Sequence, residues 1–239
     1  IGASTPHLYP CILDWADDFA VVADRLGVEE CGLIGLSGGG PYVLACCAAL
    51  PERIAAAAVL GGVPPTQGPD APQGGILGRT ALFAPLLTRL RTPSALGFAS
   101  LAWAIRPFVS QGYDLYARIS PEGDQRLFAQ PEMRAMFIDD LLNGSKPGMR
   151  APVFDLILFW RPWGFSLRDL RVPIRFWHGD ADNVVPLAHA EYMASLVPGA
   201  TIIVRPGESH LGSLGAAPEV LDALFEMWRH PLAGGDDAG

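Results

Sequence analysis

The chain has 239 residues, half of them hydrophobic and only 18% charged, with a formal net charge of −8. Such a length holds one large domain or a domain with a sizeable insertion, and the composition excludes wholesale disorder. The acidic balance, with arginines scattered rather than blocked, argues against nucleic acid or anionic lipid as a partner.

The four cysteines, Cys11, Cys31, Cys46 and Cys47, form no C-x-x-C pair and match no zinc spacing. They read as small buried apolar residues, with a disulfide as the alternative. No stretch nears the roughly 18 consecutive apolar residues of a membrane span. The chain opens with Ile rather than Met, and no basic segment precedes an apolar core there. The natural start is expected to be absent, and the expected location is cytoplasmic.

Asp14 to Leu26 reads as a helix with Ala16, Phe19, Ala20, Ala23 and Leu26 on one face, acidic residues at its start and Gly27 as its stop. Cys31 to Leu36 reads as a short buried strand running into Ser37-Gly38-Gly39-Gly40. A helix over Tyr42 to Leu50 follows, ended by Pro51. Ile54 to Leu60 is apolar throughout and suits a buried parallel strand.

From Pro64 the character changes. A loop of prolines and glycines leads into proline-broken helical patches at 76–90, 94–109, 123–129, 131–142 and 153–160, with no strand-like alternation. The expectation is a helical insertion over 64–166, between core segments 1–63 and 167–239. Its aromatic residues, among them Phe83, Phe98, Trp103, Phe108, Tyr113, Tyr116, Phe128, Phe137, Phe159 and Trp160, read mostly as the core of that insertion. Strands are expected again at 172–177 and 201–204. Helices are expected at 186–197 (Ala190, Met193, Ala194 and Val197 inward) and at 218–229 (Leu221, Leu224, Phe225 and Trp228 inward). A frayed tail is expected from Pro231. Strands alternating with helices imply an α/β fold with a parallel sheet.

Gly35-Leu36-Ser37-Gly38-Gly39 is a G-x-S-x-G sequence between a predicted strand and a predicted helix. A strand turning into a helix within two residues strains the serine backbone, and bulky side chains two residues to either side would collide. Ser37 then stands at the strand's carboxyl end over a helix amino end, where the Gly38 N–H can meet a developing negative charge. A phosphate loop is excluded, because Pro41-Tyr42 follows where Lys-Ser/Thr is required.

The segment resembles the nucleophile elbow of the α/β-hydrolase family. His178-Gly179-Asp180-Ala181-Asp182-Asn183-Val184-Val185-Pro186 resembles that family's acid loop, and Pro206-Gly207-Glu208-Ser209-His210 its histidine loop, in the family's order. The resemblance implies Ser37 as nucleophile, His210 as base and Asp182 as the acid orienting the base, with Asp180 supporting the turn. Of five histidines, only His210 sits in a Gly-flanked loop just past a predicted strand. The resemblance also implies a hydrolase fold whose helical insertion is a lid and whose chemistry needs no cofactor. The expected substrate is a small, apolar ester-type compound, with no nucleic-acid partner. Perhydrolase or acyltransferase chemistry on the same triad, and a non-catalytic ligand-binding module, are the rivals. Family members build an eight-stranded sheet, and only four strands are legible here. The N-terminal part of the sheet is therefore expected to be missing. With strand 31–36 left unprotected, the isolated chain is expected to fold poorly and to have little activity.

Overall fold

The computed structural model of the protein describes residues 4–144 and 146–230, and the backbone alone at 75–77. The expectations for Ile1-Gly2 and for the tail from Pro231 fall outside these residues. Four strands, β1 (Cys31–Leu36), β2 (Ile54–Leu60), β3 (Ile174–Gly179) and β4 (Thr201–Arg205), form one sheet in the order β1-β2-β3-β4. Every pairing is parallel, and the register aligns the carboxyl ends: Leu36 faces Leu60, Leu60 faces Trp177, and Trp177 faces Ile203. β3 starts two residues later than the hydrophobic run suggests. Pro173 has no N–H for the ladder, although its carbonyl accepts from Ala57 N–H at 2.9 Å.

Helix α1 (Trp15–Leu26) ends as expected at Gly27, in the left-handed region at φ 66°. Helix α2 (Gly39–Ala49) follows β1 directly. The all-alanine centre of β2 has a packing reason. Ala57 points into the main core with Leu44 and Phe176, while Ala56 and Ala58 point the other way, onto Val220, Ala223 and Leu224. Small side chains let helices approach both faces of this central strand. Cys46 and Cys47 are buried free thiols, and Cys11 and Cys31 are half-buried and also free. Burial pushes the Cys46 thiol up to about 12.

Between β2 and β3 the described residues are helical and loop, without a strand: α3 (Gly75–Thr80), α4 (Ala84–Arg89), α5 (Arg91–Ile105), α6 (Val109–Ile119), α7 (Glu122–Phe128), α8 (Pro131–Gly144) and α9 (Arg150–Phe159). Pro85, in the first turn of α4, splits the expected 76–90 helix. Helix α6 lies outside the expected helical patches, although Val109, Tyr113, Tyr116 and Ala117 keep a three-four spacing. What holds it is tertiary: Tyr113 packs edge-on against Phe128, and Phe128 against Phe137. Tyr113, Phe128, Phe137, Phe159 and Trp160 are buried or half-buried as expected, but Phe83, Phe98, Trp103, Phe108 and Tyr116 are exposed. Packing also crosses the expected boundary at 166, since Leu158 and Trp163 belong to the same core cluster as Ile12, Leu44 and Phe176.

Helix α10 (Leu187–Leu196) buries Ala190, Met193 and Ala194 as its spacing predicts, with Val197 buried just beyond it. Helix α11 (Ala217–Arg229) does not bury its expected face. Val220, Ala223 and Leu224 are buried, whereas Leu221 and Phe225 are 45% and 51% exposed. Two apolar stripes offset by one residue satisfy the same spacing, and the sheet selects the one with the smaller residues. Leu224 enters the space that a side chain at Gly32 would occupy, 2.6 Å from the ideal Cβ position. Among the described residues, no helix is long and apolar enough to cross a membrane.

Candidate active site

Ser37, the residue after β1, is the one non-glycine residue with positive φ (51°) among the described residues. The backbone around it holds this strained conformation, which costs about 1–3 kcal/mol. Its N–H donates to Leu60 O at 2.8 Å, continuing the ladder, and its carbonyl accepts from Gly40 N–H at 3.0 Å and Val63 N–H at 3.1 Å. The crowding expected on both sides of the serine is one-sided. A Cβ on Gly35 would lie 2.7 Å from Gly39 O and 2.8 Å from Val43 Cγ2, but a Cβ on Gly39 would meet nothing within 4 Å. The expectation for Gly39 is therefore corrected: the helix has already turned its Cβ direction outward. Gly38 is tight instead, because a Cβ there would lie 2.9 Å from the Phe159 ring of α9. Among the described residues the Gly38 N–H has no acceptor, as suits a donor at the amino end of α2.

His210 lies beyond β4, 173 residues from Ser37 along the chain, yet its Nε2 is 2.7 Å from Ser37 Oγ. Its Nδ1 is 2.8 Å from Asp182 Oδ2. A carboxylate can only accept, so Nδ1 carries the hydrogen and Nε2 accepts from the serine hydroxyl. Asp182 and His210 are each 8% exposed.

Asp182 uses both oxygens. Oδ1 accepts from Val184 N–H at 2.8 Å and Val185 N–H at 2.9 Å, which folds the turn into α10. Oδ2 faces His210 and also His178 Nε2, at 3.2 Å. Burial by itself pushes the Asp182 carboxyl up. Hydrogen bonds from His178 and His210, the charge of His210 and the Val185 N–H outweigh it and hold the carboxyl well below the usual carboxylate range. Asp180, expected to support the acid-loop turn, reaches the histidine loop, its Oδ1 accepting Gly207 N–H at 2.8 Å.

Four further residues at the site lie outside the expected triad and elbow. His178, on β3, is 1% exposed, and its Nε2 lies 2.8 Å from Val185 O as well as near Asp182. Both partners only accept, so Nε2 is protonated and bridges the two limbs of the acid loop. Gly61, at φ 54°, leaves room for His210: a Cβ there would lie 3.1 Å from its carbonyl oxygen and 3.5 Å from its Nδ1. Phe159 lies over the elbow, and Asp124 of α7 accepts Ser209 N–H at 2.7 Å. Only the position of His178, at the end of a predicted strand, carried a signal in the sequence.

The histidine loop is built onto the acid strand. Ala181 N–H donates to Glu208 O at 3.0 Å, and a Cβ on Gly179 would lie 2.2 Å from that same oxygen. The two loops therefore pack backbone to backbone, which fixes the Asp182–His210 distance without long side chains.

A family model described as alpha/beta hydrolase fold matches residues 1–217. No curated protein matches the sequence. Among solved structures, an alpha/beta hydrolase fold protein from Nakamurella multipartita is 18% identical with a TM-score of 0.61, over 91% of this chain and 76% of that one. A thermophilic esterase from Thermogutta terrifontis is 23% identical with a TM-score of 0.61, over 94% and 74%. A bromoperoxidase from Bacillus anthracis is 16% identical with a TM-score of 0.62, over 95% and 78%. At these identities the likeness is one of fold, and the family assignment rests on the model that spans most of the chain. The chain belongs to the alpha/beta hydrolase fold family.

Proposed function

We propose that this protein is a serine hydrolase that cleaves an ester-type acyl bond of a small, apolar substrate, with Ser37, His210 and Asp182 as its catalytic triad. The observation that carries the reading is the unbroken relay from Ser37 Oγ to His210 at 2.7 Å and from His210 to Asp182 at 2.8 Å, on a serine in the left-handed backbone region. In the reaction, Ser37 Oγ attacks the substrate carbonyl while its proton passes to His210 Nε2. The oxyanion faces the Gly38 N–H. When the tetrahedral adduct collapses, His210 returns the proton to the leaving alcohol. Water then attacks the acyl-enzyme with His210 again as base, and the acid and free serine are released. Asp182 stays ionised throughout and stabilises the imidazolium.

The apolar preference is supported by Phe159, whose ring lies against Gly38 beside the reacting centre. The helical segment from α3 to α9 is read as a lid that limits water at the triad. The test is covalent labelling with a fluorophosphonate probe, followed by intact mass and by turnover of esters of graded acyl length. One label per chain, lost in Ser37→Ala, is expected, with turnover favouring uncharged acyl groups. A folded wild type that binds ligand but never labels refutes the hydrolase reading and leaves a ligand-binding module. Turnover confined to highly charged esters refutes the apolar preference.

A further inference from the structure

We propose that Asp124, outside the triad, is a positioning residue for His210: through the Ser209 N–H it ties the histidine loop to α7, so that the helical segment and the base are held as one unit. The inference rests on the serine-hydrolase reading and deepens it.

The geometry around Asp124 is that of a clamp. The residue is completely buried, and its Oδ1 accepts the Ser209 N–H at 2.7 Å across 85 residues of sequence. Its neighbour Gly123 donates its N–H to Gly207 O at 3.1 Å. Neither side of the contact has slack. A Cβ on Gly123 would lie 2.6 Å from Gly207 O, and a Cβ on Gly212 would lie 2.6 Å from Asp124 Oδ1. Two hydrogen bonds and two glycine contacts thus bracket residues 207–212, with His210 inside the bracket and bonded through the peptide to the residue that Asp124 holds.

A buried carboxyl is a costly way to tie two loops together. Asp124 Oδ2 is buried without a hydrogen-bond partner, as is Glu208 Oε2 beside it. Burial raises the Asp124 carboxyl, the Ser209 N–H opposes this, Glu208 and Asp182 add to the rise, and His210 opposes it. An apolar residue packing α7 onto the loop would avoid that penalty but would leave the Ser209 N–H without an acceptor. What Asp124 supplies that packing alone cannot is a directed acceptor one residue from the base. The relevant property is the acceptor oxygen rather than the negative charge, so an amide at the same place is expected to serve.

The experiment compares the full chain as wild type, Asp124→Ala, Asp124→Asn and Phe137→Ala. Phe137 packs on Tyr113 and Phe128, in a cluster that Leu211 and Leu214 also join, but it takes no part in the Asp124–Ser209 or Gly123–Gly207 hydrogen bonds, so its variant loosens the packing and leaves those two bonds in place. The readouts are the rate of Ser37 labelling by a fluorophosphonate, kcat and KM on one ester, and Tm. Asp124→Ala is expected to slow labelling and kcat by about tenfold to a hundredfold with KM nearly constant, the penalty for misplacing a catalytic group by a fraction of an ångström to an ångström. Asp124→Asn is expected to stay within about threefold of wild type on the same scale. A folded Asp124→Ala that labels at the wild-type rate overturns the positioning role. So does an Asp124→Asn as slow as the alanine variant, or a Phe137→Ala of equal Tm loss that slows labelling as much. If the alanine variant does not fold, Asp124→Ser, too short to reach the Ser209 N–H, carries the same expectations. A wild type that never labels overturns this inference together with the hydrolase reading, whereas a labelled wild type with an unaffected Asp124→Ala overturns this inference alone.

Discussion

Replacing Asp182 by Asn changes one atom of the side chain and reverses the logic of the relay. In the wild type the carboxylate serves four donors: Val184 N–H at 2.8 Å and Val185 N–H at 2.9 Å on Oδ1, and His210 at 2.8 Å and His178 at 3.2 Å on Oδ2. An amide has one accepting oxygen. If it faces the two backbone N–H groups, its NH2 faces His210 Nδ1, which must then become the acceptor. The ring hydrogen moves to Nε2, pointing at Ser37 Oγ, and the base arrives already protonated. If the amide turns the other way, its NH2 faces two backbone donors that are left without partners, at about 1–3 kcal/mol each. The first arrangement is therefore favoured. A base locked in the wrong tautomer costs about 10⁴-fold in kcat, or about 5.4 kcal/mol at 1.36 kcal/mol per decade. The assay is steady-state hydrolysis of a short-chain ester, with fluorophosphonate labelling as a second measure and Tm as the check on folding. A well-folded Asp182→Asn that keeps kcat within about tenfold of wild type would refute the role assigned to Asp182 and, with it, the tautomer argument.

Other expectations follow from the same contacts. Gly35→Ala drives a Cβ into Gly39 O and Val43, so it should lower stability by about 1–3 kcal/mol; Gly39→Ala, with open space and a helical backbone, should leave Tm unchanged or higher, and equal effects in thermal melts would contradict the one-sided crowding. The Asp182 carboxyl is depressed in the fold, so its stabilisation is present above the unfolded value of about 3.9 and is lost as pH falls through the folded value. The Tm gap between wild type and Asp182→Asn should therefore narrow on acidification. Asp124 is shifted upward, so its ionisation at higher pH works against the fold, and Asp124→Asn should gain on wild type as pH rises. A gap that stays flat with pH counts against either assignment. Tyr42 O–H donates to Asp155 at 2.6 Å between α2 and α9. Tyr42→Phe removes the donor from a carboxyl whose pKa burial raises, and chemical denaturation should register a loss of about 1–3 kcal/mol.

The sequence by itself determined the local events. A strand that ends in G-x-S-x-G must turn sharply, Gly27 must stop α1, and α10 must bury Ala190, Met193 and Ala194, because backbone sterics and side-chain period act over a few residues. The elbow and the acid and histidine loops are short enough to be read in this way, and their order along the chain pointed to one edge of a parallel sheet. Only the tertiary structure decided which of two apolar stripes α11 buries: Leu224 lies on both, and it is the packing of Val220 and Ala223 against Ala56 and Ala58 of β2 that leaves Leu221 and Phe225 outside. It also decided that Gly39 is free of the crowding that binds Gly35, that Phe159 covers Gly38, and that Asp124 holds Ser209 across 85 residues. Such contacts leave no period and no motif. They depend on where separate elements come to rest, and that is set by the packing of the whole core rather than by any one segment.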